Sequence, residues 1–280
     1  MKPTVSVVIP AHDEAGVIGA NLDALLAGTE PGEFDVIVVA NACTDGTAAV
    51  AAREGVRVLE TPQPGKAGAL RLGDAACRVF PRVYLDADVR LDAASVRALA
   101  DAASRPGVLA CAPVPEWDLA GVGRFVRRVH RVHDRLIAPS RALAGVGVYV
   151  LGEEGHRRVF PLPDVISDDG YTDGSFTGDE RVVVTEARSV VRPARTVRAH
   201  LARRVRVRQG NRQLARLGRP ARSLRAGALR DLLAAREVSV LDVACYLTVL
   251  AADRALTWTR GNRTDWGTDA STRQSRPAAP

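Results

Sequence analysis

Val83-Tyr84-Leu85-Asp86-Ala87-Asp88 joins an apolar run of strand type to two carboxylates separated by one small residue. In open α/β sheets, ligands gather beyond the carboxyl ends of the strands. Two closely spaced carboxylates at such a place suit a hard divalent cation. Mg2+ or Mn2+ takes oxygen ligands and usually shares its shell between one or two carboxylates and phosphate oxygens. The same six residues also suit a solvated turn leading into a capped helix. Their meaning therefore depends on the chain around them.

Upstream, Val5-Ser6-Val7-Val8-Ile9 reads as a buried strand that stops at Pro10. Val17, Ile18, Leu22, Leu25 and Leu26 then recur at helical spacing as far as Gly28. Residues 35–39 form a second strand, Thr44 or Asp45 caps a helix to about Glu54, and 56–59 form a third strand. A helix over 66–80 precedes the acidic pair, Asp92 caps another to Ala103, and 108–112 make a further strand. Strands alternating with helices predict an α/β fold, with a mostly parallel sheet flanked by helices.

The rhythm changes after Pro115. Residues 119–137 read as a basic amphipathic helix with Phe125, Val129, Val132 and Leu136 on one side. Strands at 146–151 and 182–185 are separated by a long loop containing Pro161, Pro163 and Gly170, a length that usually signals function. Helices, including one over 241–258, close the chain, and a polar tail follows. The expected organisation is one domain over 1–218, with halves 1–115 and 116–218. A helical extension over 219–260 and a tail over 261–280 complete it.

Composition narrows the function classes. A hydrophobic fraction of 46% in 280 residues supports a folded core, built on Val, Leu and Ala because aromatics reach only 4%. No apolar run is long enough to cross a bilayer, and the N-terminus lacks the apolar segment of a signal peptide. Cys43, Cys77, Cys111 and Cys245 are scattered without a C-x-x-C pair and read as reduced thiols, pointing to the cytoplasm. The net charge of +7 concentrates in the second half, where arginines crowd residues 181–236. That crowding suits an anionic partner and a solvated basic face equally well. No G-x-G-x-x-G follows the first strand, which disfavours a dinucleotide oxidoreductase. The first loop also lacks the glycines of a nucleotidyltransferase. The basic region lacks a nucleic-acid reader motif, so no nucleic-acid partner is expected.

Four strand ends in order carry polar or acidic segments: Pro10-Ala11-His12-Asp13-Glu14, Ala40-Asn41-Ala42-Cys43-Thr44-Asp45, Pro64-Gly65-Lys66-Ala67-Gly68 and Asp86-Ala87-Asp88. The third opens a helix, so free amides and a lysine are available to an anion. In this ordered set the chain resembles the inverting nucleotide-sugar glycosyltransferases of family 2, which have the GT-A fold. Residues 5–14 resemble the family's opening VSVVIPxYNE, residues 38–47 its VVDDGSTDGT, residues 65–70 its GKxxAL, and Asp86-Ala87-Asp88 its metal-binding motif.

The resemblance implies a nucleotide-diphospho-sugar donor. Its site would be lined by Pro10, Ala11, Glu14, Asn41 and Lys66, with the Asp86-Ala87-Asp88 segment beside the ribose and diphosphate. Asp88, with Asp86, would ligate Mn2+ or Mg2+. The segment Ser167-Asp168-Asp169-Gly170 resembles the family's acidic motif near the acceptor. On that basis Asp169 is the expected general base, with Asp168 supporting it. Arg206 stands where relatives carry an arginine that neutralises the departing diphosphate.

The departures are specific. Ala40 and Asn41 replace two aspartates that the family places after the second strand, and the glutamine and tryptophan around Arg206 are absent. Asn41 both donates and accepts hydrogen bonds, so the base of the donor stays open. The acceptor stays open too, as a small molecule, a glycan or a lipid-linked group. Peripheral contact with an acidic membrane face is one expectation from the 119–137 helix, the arginines and the apolar stretch 238–252. Helix packing onto the core is the other.

Overall fold

Runs of β-branched residues alternate with helical apolar spacing, and the computed structural model, which describes residues 2–219 and 225–260, turns that alternation into a layered sheet. In chain order the first elements are β1 (Val5–Ala11), α1 (Ala15–Leu26), β2 (Phe34–Asn41), α2 (Thr47–Ala51), β3 (Val56–Thr61), α3 (Lys66–Ala75) and β4 (Arg82–Leu85). They are followed by β5 (Arg90–Leu91), α4 (Ala93–Ala103), β6 (Ala110–Trp117), α5 (Arg124–Ile137), β7 (Val148–Leu151), α6 (Glu153–Val159) and α7 (Asp168–Asp173). Last come β8 (Arg181–Val191), α8 (Val197–Arg216), α9 (Ala228–Ala234) and α10 (Val240–Arg260).

The sheet order is β3-β2-β1-β4-β7-β6-β8-β5. β1, β2, β3 and β4 pair in parallel, as expected. β7 runs antiparallel to both β4 and β6, and β5 antiparallel to β8, so the second half of the sheet is mixed. β1 is buried on both faces. Val5, Val7 and Ile9 join Ile18 and Leu22 of α1 on one face, while Val8 joins Leu70 of α3 on the other. Each such side chain contributes about 1.5–3 kcal/mol of hydrophobic stabilisation. α3 lies close because residue 73 is glycine. A Cβ there would stand 2.5 Å from Val8 Cγ1 and 3.0 Å from Val39 Cγ2.

Several boundaries differ from expectation for identifiable reasons. α3 ends at Ala75 rather than residue 80, and the Arg78 amide beyond it donates to Asp35 instead of continuing the helix. β6 extends to Trp117 through Pro113 and Pro115, with a register shift at Pro113/Val114 of the kind that accommodates proline in a strand. α5 starts at Arg124, and Val126 takes the inward place expected of Phe125, which is exposed. The long loop after β7 contains α6 and α7. The polar tail over 261–280 lies outside the described residues.

Part of the apolar stretch 238–252 is accounted for by packing, while Val240, Leu241 and Leu247 stay exposed. Val243, Tyr246 and Val249 of α10 bury against Val129, Val132 and Leu136 of α5. Both acidic residues of that helix turn inward. Asp242, 1% exposed, accepts from Arg128 of α5 at 2.8 Å and pairs with Arg131 at 3.3 Å. Asp253, also 1% exposed, pairs with Arg204 and Arg208 of α8. Part of the arginine excess is thus spent inside the molecule. Among the described residues, no helix is long and apolar enough to cross a membrane.

Candidate active site

β4 ends in the middle of the sheet, and the Asp86-Ala87-Asp88 turn that follows is held from two sides. The Asp86 amide donates to the Gly147 carbonyl at 2.9 Å, and Asn21 of α1 donates through Nδ2 to the Ala87 carbonyl at 2.6 Å. Gly147 has φ +71°, and a Cβ there would fall 2.4 Å from Val89 Cγ2, so a side chain would push the turn out of place. The two carboxylates are half-buried. Burial and the neighbouring charge of Asp86 push the Asp88 carboxyl above its ordinary range, against the pull of Arg203 and Lys66. An all-oxygen donor pair carrying excess negative charge fits a hard dication.

Lys66 is the first residue of α3, entered through Gly65 at φ +141°. Its Nζ lies 2.6 Å from Asp86 and 2.9 Å from Asp168, bridging two elements that are far apart in sequence. Burial alone would lower its pKa, but Asp168, Asp86 and Asp169 together hold the ammonium well above its usual range. Asp168 is 3% exposed. Burial pushes its carboxyl up to about 6, opposed by Lys66 and reinforced by Asp169 and Asp86.

Asp169 is more accessible and is positioned differently. One oxygen accepts from the Gly145 amide at 2.7 Å, and the other accepts from Ser167 Oγ at 2.8 Å and the Gly170 amide at 2.7 Å. Lys66, Asp86, Asp168 and Asp169 line a single pocket together with Pro10, Leu70, Tyr84, Leu85, Gly147 and Tyr149.

The first two strand ends flank this pocket. Ala11 is buried at the end of β1, and Glu14 is buried at the start of α1, where its amide donates to Thr47 Oγ1 at 2.8 Å. Asn41 closes β2 at 5% exposure. Its side-chain oxygen has no hydrogen-bond partner among the described residues. A buried unpaired acceptor costs about 1–3 kcal/mol, so this position is unsatisfied by the protein itself.

Arg206 is not brought to the pocket. It is exposed on α8, and the arginine whose charge acts on Asp88 is Arg203, one turn earlier. The run Arg203-Arg204-Val205-Arg206 contains both, but the rotation of α8 is set by Arg204 and Arg208 pairing with Asp253. Beside Arg203 lie His130, His133 and His200, with the rings of His130 and His200 5.0 Å apart. Burial lowers the His133 pKa to about 4 and that of His200 to about 3, keeping both imidazoles neutral beside the arginines. Asn21 and Gly147 carried no recognisable signal in the sequence. One is a polar residue on an apolar helix and the other a glycine in a loop.

A parallel-to-mixed α/β sheet carries an acidic pair and a bridging lysine at its strand ends, with a second carboxylate pair supplied by α7. The model for "Glycosyl transferase family 2" matches residues 6–142, and the chain belongs to that family. An "Uncharacterized glycosyltransferase" of Mycobacterium tuberculosis is 34% identical over 171 residues, covering 56% of this chain and 75% of the relative. A protein of the same description from Mycobacterium bovis matches to the same extent.

Among solved structures, a mannosyltransferase from Pyrobaculum calidifontis in complex with GDP-Man and Mn2+ superposes with a TM-score of 0.62 at 22% identity. It covers 94% of this chain and 77% of that one. Glucosyl-3-phosphoglycerate synthase from M. tuberculosis, in complex with Mn2+, UDP and phosphoglyceric acid, gives 0.55 at 23% identity, covering 78% and 80%. Both share the fold. The chain is a glycosyltransferase, and the nucleotidyltransferase and nucleic-acid-module readings lose their ground.

Proposed function

We propose that this protein transfers a sugar, with inversion, from a nucleotide-diphospho-sugar to an acceptor hydroxyl. The observation that carries the reading is the convergence of Asp86, Lys66, Asp168 and Asp169 on one pocket beside Pro10. Residues 1–218 form the transferase unit in this reading, and 219–260 brace it through α10.

Pro10, Ala11, Glu14 and Asn41 surround the nucleoside. The unpaired oxygen of Asn41 accepts from a base N–H, which removes its desolvation cost. Asp86 and Asp88 would hold Mn2+ or Mg2+, and the ion would supply Lewis acidity toward the diphosphate leaving group. The solved mannosyltransferase and glucosyl-3-phosphoglycerate synthase, each in complex with Mn2+, support Mn2+ in that place. Lys66 orients Asp86 and Asp168 and adds positive charge where the diphosphate departs. Arg203 takes the role expected of Arg206, because its charge already reaches Asp88.

Asp169 removes the proton from the acceptor hydroxyl as that oxygen attacks the anomeric carbon from the face opposite the diphosphate. Asp168 is engaged by Lys66 and nearly inaccessible, so it positions and does not exchange protons with an acceptor. The Gly145, Ser167 and Gly170 donors fix the Asp169 carboxylate without consuming all of its lone pairs.

Thermal-shift screening of nucleotide-diphospho-sugars with and without Mn2+ tests the reading. One donor should raise the melting temperature only with metal, and Asp88→Ala should erase the shift. A chain indifferent to every donor in the presence of Mn2+ would overturn it.

A further inference from the structure

β1 and β2 are parallel neighbours, with Ala11 level with Ala40, so the residues just beyond each strand meet. His12 and Asp13 leave β1, and Cys43 lies two residues past β2. One ligand atom from each of the three falls within 4.8 Å of the others. His12 Nε2 and Asp13 Oδ2 are 3.8 Å apart, close to the ~3.3 Å edge of a tetrahedron with bonds of about 2 Å. All three residues are half-buried, which leaves them open to an ion from solvent.

Two of the groups are held in place by the backbone around them. His12 Nδ1 lies 2.7 Å from the Asn41 carbonyl, which only accepts, so the ring hydrogen resides on Nδ1 and the lone pair on Nε2 faces the cluster. A backbone carbonyl holding the far nitrogen is the usual outer partner of a metal-bound histidine. Asp13 accepts from the Thr44 amide at 2.7 Å and the Asp45 amide at 3.3 Å, which fixes the carboxylate toward the β2 loop. The Cys43 thiol donates to the Ala11 carbonyl at 3.4 Å and lies 3.9 Å from the Asn41 carbonyl, contacts that give way to the metal when the thiol hydrogen leaves.

We infer that His12, Asp13 and Cys43 form a Zn2+ site, separate from the carboxylate clamp at Asp86 and Asp88. The donor set decides the ion. Thiolate, imidazole and one carboxylate select Zn2+ over Mg2+ or Mn2+, whereas the clamp offers oxygen alone. On binding, the Cys43 S–H bond breaks, an S–Zn bond forms and the proton leaves to buffer. Three protein ligands leave a fourth for water.

Co2+ titration of the full chain, with Mg2+ in excess to fill oxygen sites, reads this directly. A single equivalent should give a sulfur-to-cobalt charge-transfer band in the near ultraviolet with intense visible bands of a tetrahedral ion, and Zn2+ should bleach both. Cys43→Ser should abolish the charge-transfer band, and His12→Gln should weaken Co2+ binding by about 100-fold. Asp88→Asn should leave the bands in place. As a second measurement, Zn2+ should raise the melting temperature of the wild-type chain but not of Cys43→Ser. A band absent from the wild type, retained in Cys43→Ser or lost in Asp88→Asn overturns the assignment, as do equal melting shifts in both chains.

Discussion

The Lys66 ammonium stands 2.6 Å from the Asp86 carboxylate, tying the first turn of α3 to the acidic turn after β4. Lys66 also pairs with Asp168 at 2.9 Å, so one cation compensates carboxylates from both halves of the pocket. Removing it strands a buried carboxylate. Lys66→Met should destabilise the fold by about 2 kcal/mol, below the full cost of breaking a wholly buried pair because Lys66 is one-third exposed. Lys66→Met combined with Asp168→Asn should recover most of that loss in urea unfolding, since neither charge remains. Additive losses in the double variant would show that the pair is not coupled.

Asp169 and Asp168 are adjacent but differently engaged, and substitution should separate them. Asp169→Asn keeps the hydrogen bonds to Ser167 and Gly145 largely satisfiable while removing the base. Turnover should fall by about 100-fold or more, with donor affinity unchanged in a direct binding assay. Asp168→Asn should instead weaken donor binding through the loss of its Lys66 partner. The reverse pattern would exchange the two roles.

Arg203 and Arg206 lie one turn apart on α8, and of the two it is Arg203 whose charge lowers the Asp88 carboxyl. Arg203→Ala should lower kcat by about tenfold or more, because a cation aimed at developing charge acts chiefly on the transition state. Arg206→Ala, at an exposed position, should retain kcat. Steady-state kinetics on the two variants distinguishes them once a donor is in hand.

Asp242 anchors α10, and its contribution should depend on pH in a defined direction. Burial would raise its carboxyl, but the Ser239 amide and hydroxyl with Arg128 and Arg131 hold it at about 2, against 3.8 when unfolded. A depressed folded pKa stabilises above the unfolded value and loses that contribution as pH falls through the folded one. Asp242→Asn should therefore cost about 2 kcal/mol near neutral pH, allowing for partial screening by solvent at the arginines. The difference from wild type should vanish as pH approaches about 2. Urea midpoints across that range measure it, and a constant difference would mean that packing, not charge, is lost.

Much of the donor side was legible in the sequence because its signals are local. A strand that is apolar on both faces, a proline or polar residue at its end and a helix after it are properties of short segments, and β1 and β2 follow them, whereas β3 is half-buried and β4 leads into β5 before the next helix. The acceptor side was less legible. α6 and α7 were hidden in a proline-containing loop, since seven- and six-residue helices are too short to show periodicity. Phe125 and Val126 both suit an amphipathic pattern, and which one faces inward is decided by the helix packed against α5.

By itself, the sequence determined the α/β class, the order of the strand-end segments and the placement of Asp86-Ala87-Asp88 after a buried strand. These follow from side-chain volume and backbone preference within about ten residues. Tertiary structure alone decided that Lys66 joins Asp86 to Asp168, that Asn21 and Gly147 hold the acidic turn, and that the charge of Arg203 lowers the Asp88 carboxyl. Those relationships depend on how α1, α3 and α8 dock. Docking is set by long-range burial and by ion pairs such as Arg204 with Asp253, which no window of sequence contains.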